Sequence, residues 1–168
     1  MQAICDENFI FRSVDASWPG SVHDSRILKN SSVYQLLLNG HFGSILLGDE
    51  GYGITSFLMT PYKHPQNQGE RKFNKTHCSN RVVIEQAFGQ LKRRFPILHY
   101  GICLKLSVVP TCIMACFILH NVAKHLSDPD DFDDIYYEND DWFPDDPYQI
   151  ANLKVRGEQR RNEIMELL

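Results

Sequence analysis

Short apolar runs alternate with polar punctuation along this chain, and the periods of that alternation place most of its elements. Ala3-Ile4-Cys5 and residues 9–14, separated by the polar triplet Asp6-Glu7-Asn8, read as a hairpin spanning residues 2–16. Trp18-Pro19-Gly20-Ser21 is a turn, after which Ser21 or His23 starts a helix through Asp24, Arg26, Ile27 and Leu28. Ser31-Ser32 offers a second N-cap ahead of Val33, Leu36 and Leu37, and Asn39-Gly40 ends the pair. Residues 44–47 form a buried strand. Asp49-Glu50-Gly51-Tyr52-Gly53 is then a glycine-rich turn at its carboxyl end.

Residues 63–80 are polar and aperiodic, which predicts a long loop. Ser79 or Asn80 caps the next helix, whose stripe of Ile84, Phe88, Leu91 and Phe95 recurs at spacings of four, three and four until Pro96 stops it. Pro110 suits the first turn of another helix. Its Ile113, Ala115, Cys116, Phe117, Leu119 and Val122 are too apolar for a surface element, so this helix is expected to be buried. Cys112, Cys116 and His120 share one of its faces at soft-metal spacing. With no fourth ligand evident, core thiols and an internally hydrogen-bonded His120 are the preferred reading. Residues 127–148 carry ten acids, no base and three prolines, an acidic disordered linker on composition, and residues 149–168 read as a terminal segment with a short helix over 157–168.

Composition refines this picture. At 168 residues with 43% hydrophobic positions, the chain can bury the core of one domain, placed at residues 1–126. Those residues hold 13 basic against 8 acidic side chains, whereas residues 127–168 hold 4 against 13, so a mildly basic body precedes an acidic tail. Five cysteines without a CxxC pair suggest reduced thiols in an intracellular compartment. The amino terminus lacks a signal-peptide pattern and no apolar run reaches the roughly 18 residues of a membrane span.

Two carboxylates stand out as candidate chemistry. Asp49 follows the apolar run Ile45-Leu46-Leu47-Gly48, Glu85 lies in a helical stretch, and 35 residues separate them. Hard oxygen ligands on rigid elements are what phosphodiester cleavage by Mg²⁺ requires. The plainer readings are a turn residue before Gly51 and an i−4 pair with Arg81, and spacing alone favours these. Residues 63–94 add eight bases against two acids, Lys72, Lys75, Arg81 and Lys92 among them. Arg81 and Lys92 fall on the helical face of Glu85, where they suit phosphates.

Six blocks shift this weighing: Trp18-Pro19-Gly20-Ser21-Val22-His23-Asp24-Ser25-Arg26-Ile27, Leu46-Leu47-Gly48-Asp49-Glu50-Gly51-Tyr52, Thr60-Pro61-Tyr62, Phe73-Asn74 with His77, residues 81–95, and Leu119-His120-Asn121. Over residues 1–125 their order and spacing resemble the PIF/Harbinger-type transposase-derived nucleases. The resemblance implies an α/β, RNase H-like mixed sheet flanked by helices. It also implies a DDE triad binding Mg²⁺ or Mn²⁺, a DNA substrate in the nucleus, and a separate DNA-binding partner protein. The second Asp falls on Asp49 and the Glu on Glu85, with His23 and Asp24 in a supporting block.

The family's first catalytic Asp belongs on a strand ahead of the opening hairpin, where Met1 stands, so the domain is expected to be N-terminally incomplete. Asp6 and Asp15 do not match the missing position. This chain is therefore expected to cut DNA poorly. The alternative is a domesticated, non-catalytic module that binds DNA or protein on the same fold.

Overall fold

The computed structural model describes residues 1–40, 45–128 and 151–167, without the side chains of 151–156. Its elements run β1 (Gln2–Cys5), β2 (Phe11–Asp15), α1 (Asp24–Asn30), α2 (Ser32–Leu38), β3 (Leu46–Leu47), β4 (Leu58–Met59), α3 (Gln68–Arg94), α4 (Ile97–Tyr100), α5 (Val109–His125) and α6 (Ala151–Leu167). This is a mixed α/β chain. Among the described residues the strands form two small sheets, an antiparallel β1–β2 pair and a parallel β3–β4 pair. Two compact units result. One takes in β1, β2, α3 from Val82 onward, α4 and α5; the other takes in α1, α2, β3, β4, α3 up to Arg81, and α6.

In the first unit the expected hairpin forms, with Gln2 opposite Asp15 and a bulge at Ile4/Cys5. Asp6 shapes its turn by accepting from the amides of Asn8 and Ile10 at 3.0 and 3.1 Å and from Arg12 Nε at 2.8 Å. At the other end, Asp15 accepts from the Ser17 amide and from Trp18 Nε1, both at 3.0 Å. Both acids therefore serve local structure. Phe11 meets Ala87 and Leu91 of α3 and Cys116 and Phe117 of α5 in the core, with Ile84, Phe88 and Phe95 packed around it as the spacing predicts. Phe11 and Phe117 meet edge to face at 4.5 Å.

Two polar side chains of α5 fasten this hairpin. Asn121 Oδ1 accepts from the Phe11 amide at 2.9 Å while its Nδ2 donates to the Phe11 carbonyl at 2.8 Å. His120, fully buried, meets the Phe9 carbonyl at 3.1 Å through Nε2, which is the internal hydrogen bond expected of it. The expectation that α5 is buried all round needs correction. Cys116, Phe117 and His120 are buried, but Ile118, Leu119 and Val122 remain 58%, 53% and 45% exposed. Within this unit the hairpin and α3 cover one face of α5 only, and an apolar helix does not itself dictate what covers the other.

In the second unit, Leu28, Tyr34 and Leu37 of the two short helices pack against Phe57 and Leu58. Ser31 caps α2 by accepting from the Tyr34 amide at 3.2 Å. The long loop expected over 63–80 is instead largely helix, because α3 begins at Gln68. Its start is a capping box: Asn67 Oδ1 accepts from the Glu70 amide at 2.8 Å while Glu70 reaches back to the Gln66 amide at 2.6 Å and Asn67 Nδ2 at 2.9 Å. Ser79 is no cap. It lies mid-helix, its hydroxyl donating to the Lys75 carbonyl at 3.0 Å.

The terminal helix is longer than expected, 17 residues. Arg161 Nη1 donates to the carbonyls of Thr60 and Pro61 at 3.1 and 3.3 Å, and its guanidinium lies 3.6 Å from the centre of the Tyr62 ring. Most of the acidic linker, and Ser44 of the predicted strand, lie outside the described residues. No helix among the described residues is long and apolar enough to cross a membrane.

Candidate functional site

The parallel ladder sets the position of Asp49. Leu46 N–H donates to the Phe57 carbonyl at 2.7 Å and Gly48 N–H to the Met59 carbonyl at 2.9 Å. Gly48 is closely packed: a Cβ there would come within 3.0 Å of Leu58 Cδ1 and 3.1 Å of Tyr52 Cδ2, so those side chains would have to give way to a larger residue. Asp49, the next residue, is half-buried, and its Oδ1 accepts from the Gly51 amide at 2.9 Å. The plain reading of Asp49 as a turn-former is therefore correct. It does not compete with the chemical one, since the same turn holds the carboxylate at the strand end.

Asp24, in the first turn of α1, is within electrostatic reach of Asp49. Desolvation by the surrounding protein and the Asp49 charge together hold its carboxyl above the usual range. His23 occupies the N-cap position of α1, exposed and without a capping bond from its side chain. From α3 comes His77, a buried side chain with Nε2 3.1 Å from the Met59 carbonyl. Desolvation lowers its pKa below the ordinary histidine value; Arg81 and Arg161 lower it further, while the Met59 bond and Asp49 oppose them. Asp24, Asp49, His77, Arg81 and Arg161 thus share one electrostatic neighbourhood in the second unit.

The other candidates lie along α3. Lys72 and Lys75 are exposed on its amino half, while Glu85 and Lys92 are exposed on its carboxyl half, four and eleven residues beyond Arg81. Glu85 belongs to the first unit and Asp49 to the second. Arg94, at the helix end, is paired with Asp128.

In kind, the carboxylate oxygens of Asp24 and Asp49 suit Mg²⁺ or Mn²⁺. In number they are few: among the described residues no group of three His, Cys, Asp or Glu side chains is arranged to hold a metal ion.

Sequence reasoning missed His77, Asn74 and Arg161. Asn74 clamps Tyr62 from both sides, accepting from its amide at 2.8 Å and donating to its carbonyl at 2.9 Å. The signal was present for two of the three, in the block Phe73-Asn74 with His77, but a reading based on apolar period passes over polar inward positions.

A family model described as DDE superfamily endonuclease matches residues 1–121. The chain belongs to this family. Members similar to it include "Protein ALP1-like" of Arabidopsis thaliana, 31% identical over 144 residues, covering 76% of this chain and 36% of the relative. "Putative nuclease HARBI1" of Bos taurus is 35% identical over 125 residues, and its Homo sapiens counterpart 34%, each covering 71% of this chain and 36% of the relative. The resemblance to Harbinger-derived nucleases is thereby borne out. This DDE-family chain spans about a third of the length of those relatives. No solved structure matches it.

Proposed function

We propose that this chain is part of a divalent-metal-dependent DNA endonuclease of the Harbinger type, RNase H-like in fold and acting in the nucleus. Asp49 and Glu85 are its metal ligands. The observation that supports the proposal is the placement of Asp49: the carboxylate on which the resemblance puts the second Asp is held at a strand end by the Gly48 rung, within electrostatic reach of Asp24. Bound Mg²⁺ or Mn²⁺ would activate water and stabilise the leaving oxygen of the phosphodiester. The chain's own basic residues, Arg81, Lys92, Lys72 and Lys75, would hold flanking phosphates, and a separate protein would supply DNA-sequence recognition.

A specific observation favours a second reading. The shortage of a third ligand among the described residues suits a non-catalytic DNA-binding or protein-interaction module on the same fold.

A plasmid-nicking assay in Mg²⁺ and Mn²⁺, on the chain and on Asp49→Asn and Glu85→Gln, separates the two, together with DNA binding across a salt series. The nuclease reading expects metal-dependent nicking, however slow, that both substitutions abolish. Salt-sensitive binding weakened by Arg81→Ala and Lys92→Ala, without nicking, selects the DNA-binding module. Nicking that survives both carboxylate substitutions places the chemistry elsewhere.

A further inference from the structure

We infer that His77 is a positioning residue for Asp49, tying α3 to the strand end that carries the carboxylate. The importance attached to Asp49 rests on the proposed function; the tie itself rests on geometry. The Met59 carbonyl accepts from Gly48 N–H at 2.9 Å and faces His77 Nε2 at 3.1 Å. A carbonyl only accepts, so Nε2 carries the proton, and both lone pairs of this oxygen are used. Met59, His77 and Gly48 are all buried, where a hydrogen bond is costly to leave unmade.

The ladder here is minimal. Among the described residues its register pairs Leu46 with Leu58 and Leu47 with Met59, and the Gly48 rung is the last before the Asp49 turn. So small a sheet is marginal without support from a helix. His77 gives that support at the terminal rung, one residue before Asp49.

A second contact fixes the register of the helix. Three residues before His77, Asn74 clamps the backbone of Tyr62, three residues after Met59. With two such fastenings, α3 cannot slide by a turn, about 5.4 Å, along this segment without breaking both. His77 thereby fixes the register of α3 within this unit, up to Arg81. Its Nε2–H is committed to a buried carbonyl, which separates this role from that of a general acid or base.

The unmodified chain gives the first test. Nitrogen-15 NMR should show His77 in the Nε2–H tautomer with a slowly exchanging ring proton; the Nδ1–H tautomer overturns the inference without any variant. His77→Leu removes the donor, and amide exchange should then show Gly48 losing about tenfold protection. Leu91 and Phe117 in the other core should keep theirs. His77→Gln, which restores an N–H donor, should recover most of the Gly48 protection.

Mn²⁺ affinity, read by paramagnetic broadening, should fall about tenfold in His77→Leu and recover in His77→Gln, as it does when residues supporting a metal ligand are removed. Unchanged Gly48 protection in His77→Leu, or equal loss in both variants, overturns the positioning role. Mn²⁺ binding indifferent to Asp49→Asn would instead overturn the metal-ligand reading and leave the Gly48 result to decide His77 by itself.

Discussion

Replacing Asn121 by Ala should destabilise the first unit by about 2–4 kcal/mol. The side chain makes two hydrogen bonds to the backbone of Phe11, at 2.9 and 2.8 Å. A typical bond of this kind is worth about 0.5–1.5 kcal/mol net, but a buried group left unpaired costs about 1–3 kcal/mol. Phe11 is 5% exposed, so water has poor access to repair its N–H and C=O, and the larger figure governs at least one of them. For a chain of this length that is a fall in Tm of roughly 5–15 °C, at about 2–4 °C per kcal/mol. Asn121→Asp sharpens the test. It keeps an acceptor for the Phe11 amide but sets a carboxylate oxygen against the Phe11 carbonyl, so at neutral pH it should be at least as damaging as Ala. Lowering the pH far enough to protonate the new carboxyl should recover part of the loss. Urea unfolding followed by far-UV circular dichroism measures all of this. A change below about 0.5 kcal/mol for Asn121→Ala, or an Asp variant as stable as the parent at pH 7, would refute the clamp.

Three further outcomes follow from the same structure. Because His77 is held below its ordinary value of 6.5, chiefly by desolvation, the unfolded chain takes up a proton that the folded chain refuses. Stability should therefore fall as pH drops from 6.5 toward the depressed folded-state pKa, by at most about 1.4 kcal/mol per pH unit, and then level off; His77→Gln should lack that component, and an identical slope in the variant would refute it. Gly157→Ala should loosen α6 despite a helix-propensity gain of about 1 kcal/mol, because the new Cβ would lie 2.7–2.8 Å from the Thr55 backbone; limited proteolysis checks this, and a variant more resistant than the parent contradicts it. Burial, aided by Asp6, pushes the Cys5 thiol up to about 11, so at pH 8 iodoacetamide should label exposed Cys78 and Cys103 well before Cys5; equal rates would show that the hairpin opens readily.

Where an inward face is apolar, the sequence was legible. The hairpin follows from its alternation and its Asp6-Glu7-Asn8 turn, the end of α2 from Asn39-Gly40, and the second half of α3 from Ile84, Phe88, Leu91 and Phe95. The first half of α3 was illegible because the groups it turns inward are Phe73, Asn74 and His77, two of them polar and bonded to backbone. A hydrophobic period cannot register a helix that docks by hydrogen bonds. The Asn67–Glu70 box was the available signal. At the site, the setting of Asp49 could be read from Leu46-Leu47-Gly48 and Gly51, whereas the coupling of Asp24 to Asp49 and the arrival of Arg161 from α6 are tertiary facts with no local trace.

The two units use one device twice, and this bears on how any functional assay is interpreted. In the first, His120 meets the Phe9 carbonyl and Asn121 brackets Phe11; in the second, His77 meets the Met59 carbonyl and Asn74 brackets Tyr62. A side-chain amide offers a donor and an acceptor side by side, so it can stand in for a neighbouring strand where a helix abuts backbone. Two of the blocks on which the resemblance rests, Leu119-His120-Asn121 and Phe73-Asn74 with His77, are therefore fastenings of the fold. Their loss lowers any activity through the folding equilibrium, whatever the chemistry. Loss of nicking in Asn74 or Asn121 variants is thus no evidence of a catalytic role unless the unfolding curve is unchanged. Asp49→Asn is the opposite case. Its Oδ1 bond to the Gly51 amide survives in the isosteric amide, so stability should change by less than about 1 kcal/mol while metal-dependent cleavage disappears. Measured on one preparation, an intact unfolding transition with lost cleavage would assign Asp49 to the chemistry, and parallel losses of both would assign it to the turn alone.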